Sequence, residues 1–172
     1  MKASMVWSNV RHVLYGFLKA YTFLLVGGAL ISGGMLATPM YWHNTMISDL
    51  GVAFTKHLYL GLVAGFLIHE TAHAIFMSVT MHSLQCIRIE STFARFSLHA
   101  VGSSTGRGIF LTAVGGPMSA ALFGVLMHLT LPNFDLLGWY VIHLFNLLPL
   151  FGDGKAAIFG IRHWRSVVDL GK

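Results

Sequence analysis

Four long apolar blocks, at about residues 20–38, 57–80, 108–131 and 136–160, constrain this chain more than any other feature of its sequence. Each is long enough to cross a hydrocarbon layer of roughly 30 Å, which takes about 20 helical residues. Lipid offers no partner for backbone N–H and C=O groups, so a crossing block must pair them internally as a helix. Charged residues make up only 10% of the chain and apolar residues 55%, whereas a soluble domain carries about 25% charged residues. Much of the surface is therefore not built for water. The expected fold is an all-α polytopic membrane protein with four transmembrane helices in a single domain of residues 1–172. Residues 20–38 form an additional first span, and 57–160 form a three-span core.

The charges orient the blocks. Lys2, Arg11 and Lys19 precede the first, and Arg88, Arg95 and Arg107 separate the second from the third. Lys155, Arg162, Arg165 and Lys172 lie in or after the end of the fourth. The other two connections hold only Lys56, with Asp49 and Asp135. The positive-inside rule then puts both termini and the middle loop in the cytoplasm. Tyr41, Trp42, Trp139 and Tyr140 mark the outer interface, and Trp7 and Trp164 the inner one. The formal charge of +5 includes no dense basic run, which argues against nucleic acid. Cys86 stands alone, so an internal disulfide and a CxxC metal site are excluded, and a buried inert thiol is expected. The N-terminal stretch has no small-x-small cleavage site at a fitting distance and reads as a retained span. No organelle-targeting segment is visible, which points to a bacterial plasma membrane.

Between the second and third blocks, Ile87, Ile89, Phe93, Phe96 and Leu98 alternate loosely with polar residues. That pattern admits a re-entrant or interfacial β-hairpin as well as a plain cytoplasmic loop. Gly102-Ser103-Ser104-Thr105-Gly106 then reads as a flexible turn.

Chemistry concentrates in His69-Glu70-Thr71-Ala72-His73, an HExxH pattern. On a helix, positions i and i+4 share a face, so both imidazoles reach one metal ion. Glu70, offset by one residue, can take a proton from a metal-activated water. Its place deep in an apolar block matters, because an unpartnered ionisable group there costs about 2.5 kcal/mol or more. Two histidines need a third ligand. Asp153, the only other acid deep in a span, is the candidate. Counting 1.5 Å per residue from the outer ends puts His69 and His73 roughly 18–24 Å down and Asp153 about 25 Å down. Pro149 breaks the helical ladder just before Asp153. The freed backbone groups must face protein or water. They suit either a packing kink or pairing with an extended substrate strand. Gly61 and Gly65 extend the His69/His73 stripe and permit close helix approach.

Together these motifs resemble the site-2 protease family of intramembrane metalloproteases. In that family an HExxH span is followed by a membrane-associated hairpin, a span opening with Gly-Pro, and a span with Asn-x-x-Pro before Asp-Gly. Here His69 to His73 match the first motif, and residues 87–106 occupy the hairpin position. Gly115-Gly116-Pro117-Met118-Ser119 matches the Gly-Pro segment, and Asn146-Leu147-Leu148-Pro149 with Asp153-Gly154 matches the last. The likeness covers roughly residues 58–160. It implies His69, His73 and Asp153 as zinc ligands, Glu70 as general base, and Asn146 as a group holding substrate or the oxyanion. The chain departs from the family in two places. The step from Asn146 to Asp153 is seven positions where the family has eight, and Ser119 stands where Asn is frequent.

The reading that follows is a zinc endopeptidase cutting membrane-spanning proteins within or near their transmembrane segments, alone, as a homo-oligomer or with a regulatory membrane protein. Two alternatives stay open. One is a non-proteolytic zinc protein of the same fold acting as a chaperone or regulator, which the short Asn146-to-Asp153 step favours. The other is an ion transporter, for which the first span offers little beyond Thr22 and Ser32. Among the other histidines, His143 and His128 lie in spans. Both suit hydrogen-bonded structural roles, and His143 also suits a role beside the site.

Overall fold

The computed structural model describes residues 2–42, 45–92, 95–131 and 133–171. Phe93, one of the alternating residues noted above, and His43 lie outside them. Among the described residues the fold is mostly helical, with one three-stranded sheet.

The chain opens with an unexpected helix, α1 (Lys2–Ala20). Ser8, Arg11, His12, Tyr15 and Lys19 form its exposed stripe, while Val10, Val13 and Phe17 are buried. That 3.6-residue periodicity makes α1 amphipathic, so it is not simply an extension of the first apolar block. The block itself is α2 (Thr22–Trp42), which begins after a turn at Tyr21. α2 runs back along α3 (Thr45–Thr55): Gly51 sits against Met35, Gly28 against Leu58 and Tyr59, and Tyr59 Oη donates to Leu25 O at 2.6 Å.

The second block is longer than expected. α3, the π-helical turns Lys56–Val63 and α4 (Ala64–Thr80) form a continuous 36-residue apolar stretch. At 1.5 Å per residue it measures about 54 Å, well over a hydrocarbon thickness of roughly 30 Å. The π-helical turns lie where aromatic side chains press in. Gly61 makes room for Trp139, and Tyr140 Oη donates to Leu60 O. π-helical turns of this kind are frequent near functional sites.

α4 leads into β1 (Ser83–Thr92) and β2 (Arg95–Thr105), an antiparallel hairpin with Ser83 opposite Ser103 and Thr92 opposite Arg95. A register shift between Leu84 and Cys86 turns Ile87 inward, into a cluster with Val13, Ala74 and Met77. It leaves Cys86 exposed, correcting the expectation of a buried thiol. The Gly102–Gly106 segment is not a flexible turn. β2 continues to Thr105 because β3 (Val167–Leu170) pairs with Gly102–Thr105 on the far edge. Gly102 alone supplies backbone freedom there (φ +137°), beside the Ser83 carbonyl. Thr105 then caps α5 (Gly106–Thr130) by accepting from Gly108 N at 3.2 Å. β3 leaves residues 96–101 of β2 without a strand on that side among the described residues.

α5 returns antiparallel to α4 on close glycine contacts. Gly115 lies under Phe76 and Gly116 under His73. The fourth block is broken into α6 (Leu137–Val141), a 3₁₀ segment Ile142–Leu147, a non-helical stretch through Phe151, and α7 (Gly152–Arg162), with a 46° bend. α7 meets α5 where Gly160 faces Gly106. Among the described residues, three helical stretches are long and apolar enough to cross a membrane, or four if the bent pair counts as one.

Candidate metal centre

α4 and the start of α7 bring three predicted residues to one point. His69 Nε2 and His73 Nε2 are 3.0 Å apart. Asp153 Oδ2 lies 3.2 Å from the first and Asp153 Oδ1 3.3 Å from the second. Both histidines are buried and the carboxylate is partly open. A regular tetrahedron with ligand bonds of 2.0–2.1 Å has edges of about 3.3 Å. The nitrogen–nitrogen separation is near that size, and the two carboxylate oxygens each approach one imidazole. One donor atom from each residue lies within 4.8 Å of the others, and the donor set is the His₂–carboxylate combination that zinc accepts. The residues therefore fit a metal ion, with one side left open towards a cavity.

His73 is oriented from behind. Its Nδ1 lies 2.8 Å from the Thr112 carbonyl, which can only accept, so Nδ1 carries the proton and Nε2 presents its lone pair. Thr112 belongs to α5, four residues before Gly116, whose lack of a side chain leaves room for the same ring. No residue-type rule points to Thr112, because it acts through its backbone. Gly116 was legible only as part of the Gly-Pro segment.

Asp153 reaches the site despite the short step from Asn146. Of the 3₁₀ segment Ile142–Leu147 only Leu147 falls within that step, so the change of path comes after it. Leu148 and Phe151 have extended backbone on either side of a turn closed by Phe151 N donating to Leu148 O at 3.0 Å, and this non-helical stretch around Pro149 replaces the helical path to Asp153. Gly154 makes the return possible, since a side chain there would overlap the Leu148 carbonyl.

Glu70 is buried at 7% exposure and faces a cavity of about 870 Å³ that also receives Asn146, Tyr21, Lys155 and residues 96–100 of β2. All five predicted site residues thus line one cavity. Sequence reasoning missed Tyr21, which arrives at the junction of α1 and α2 and packs against Phe17 and Phe96. Of the two histidines weighed for structural roles, His143 is buried beside His69, while His128 is exposed and bonds the Phe134 carbonyl. No protein-family profile, curated protein or solved structure matches this chain.

Proposed function

We propose that this chain is an intramembrane zinc endopeptidase of the site-2 protease kind, acting on membrane-spanning protein substrates. One observation carries the reading: His69, His73 and Asp153 present their donor atoms to one point in a cavity that also holds the buried Glu70. A zinc ion held there supplies Lewis acidity and acidifies a water to a pKa of about 7. Glu70 takes the proton from the attacking water and passes it to the leaving amide nitrogen. Asn146, on the same cavity wall, has an amide that can hold the substrate backbone or donate to the developing oxyanion.

A peptide bond inside a helix is shielded, so the substrate must be extended at the cut. Leu98 to Ala100 of β2 line the cavity on the side where β3 does not pair, and their edge can take an added strand. The apolar helices around the site suit a bilayer, and the cytoplasmic placement of both termini rests on the charge distribution.

The test compares membranes of cells carrying the natural chain and the Glu70→Gln variant by mass spectrometry of new protein termini. New termini inside apolar segments should vanish in the variant while its bound zinc is retained. Cleavage that persists in Glu70→Gln sinks the assigned role.

A further inference from the structure

The two ligand imidazoles are held differently. His73 has the Thr112 carbonyl behind Nδ1, whereas Nδ1 of His69 is buried with no hydrogen-bond partner among the described residues. A buried polar atom left without a partner needs an explanation. A histidine ring turns about its second side-chain torsion in broad, roughly two-fold wells, so packing must select its orientation where no hydrogen bond does. The packing is specific. The His69 ring lies between the edge of His73, centroids 4.6 Å apart at 77°, and the tilted face of His143, 4.9 Å away at 35°.

His143 is itself fixed. It is 3% exposed and packs edge-to-face on Phe66, with centroids 4.9 Å apart at 84°. Gly65 leaves space for it: a Cβ there would stand 3.0 Å from His143 Nε2. The segment carrying it is pinned to the π-helical turns by Trp139 Nε1 donating to His57 Nδ1 at 2.9 Å and by Tyr140 Oη on Leu60 O. Trp139, Tyr140 and His143 therefore dock the fourth block against residues 57–69, and the last of them ends on a ligand ring.

We propose that His143 is a positioning residue for the metal ligand His69, its tilted ring fixing by packing the orientation that the Thr112 carbonyl fixes for His73 by a hydrogen bond. This rests on the reading of His69, His73 and Asp153 as a zinc centre.

The experiment uses the full chain in detergent, with zinc affinity measured by chelator competition and ligand geometry by the absorption spectrum of the cobalt-substituted protein. Removing an outer partner of a metal ligand typically weakens binding by about 10–100-fold. His143→Ala should lose about tenfold in zinc affinity and shift the cobalt bands, and His143→Phe should stay within about threefold of the natural chain. Natural affinity and an unshifted spectrum in His143→Ala overturn the proposal. So does an equal loss in His143→Phe, which would assign the role to a ring nitrogen. If the alanine variant does not fold, His143→Leu, which keeps bulk but no ring, replaces it with the same expected loss and the same overturning result. A natural chain that binds no zinc overturns the metal centre itself, an outcome distinct from natural binding with no effect at His143.

Discussion

α5 and α2 are both apolar, glycine-containing helices long enough to cross a bilayer, yet they are built for different neighbours. In the most apolar window of α5 half the residues are buried, against 17% in that of α2. Gly115, Gly116 and Gly124 of α5 each lie against a neighbouring ring, from Phe76, His73 and Tyr140. Gly27, Gly33 and Gly34 of α2 meet nothing within 4 Å, and Phe23, Leu30, Ile31 and Met40 project outward. The same residue type thus serves two ends. In α5 it lets backbones close around a polar centre. In α2, apart from Gly28 against Leu58 and Tyr59, it lies on a surface suited to lipid, where small size is not needed for packing.

Substitution at these glycines is the sharpest way to break the comparison. Gly116→Ala would place a methyl group against His73 Nε2, a ring already tied to Thr112. It should destabilise the chain by about 1–3 kcal/mol, as overpacking does, and weaken zinc binding by about tenfold or more. Thermal unfolding in detergent and chelator competition check both, and natural behaviour would remove the distinction between the helices. Gly33→Ala should do the opposite on a smaller scale. Alanine in a helix interior gains about 0.5–1 kcal/mol over glycine when it meets no obstruction. An unfolding midpoint lowered by Gly33→Ala would reveal a contact at that face.

The smallest expected effect lies at the loop joining α5 to α6. Lys56 Nζ pairs with Asp135 Oδ1 at 2.6 Å, and the hydrogen bond from the ammonium holds the Asp135 carboxyl below the usual carboxylate range. A lowered folded-state pKa stabilises above the unfolded value, about 3.9, and that contribution is lost as pH falls through the folded value. Both side chains are well exposed, so solvent screens the pair. Asp135→Asn should move the unfolding midpoint at pH 7 only marginally, and the difference from the natural chain should shrink below about pH 4. A large shift at pH 7 would mean that this pair holds this end of the helices together.

The candidate metal site was more legible than its supports. His69, Glu70 and His73 were readable because i, i+4 spacing is a local geometric fact. Asp153 was readable because an acid in an apolar block needs a partner. The hairpin was readable only as one of two options, since loose alternation also fits a loop. β3 escaped notice because four residues at the chain's end carry no periodicity, and their pairing is a long-range event. α1 was hidden by the apolar block it runs into, although its polar stripe was present in the sequence.

Residue type and spacing alone determined the apolar blocks, the shared face of the two histidines and the need for a third ligand. Tertiary structure decided how Asp153 arrives from seven positions after Asn146, which carbonyl orients His73, and which ring stands against His69. Spacing acts within one helix and obeys its pitch. The other three depend on how broken backbone and bare glycines let separate segments approach, and those distances are set only when the helices pack.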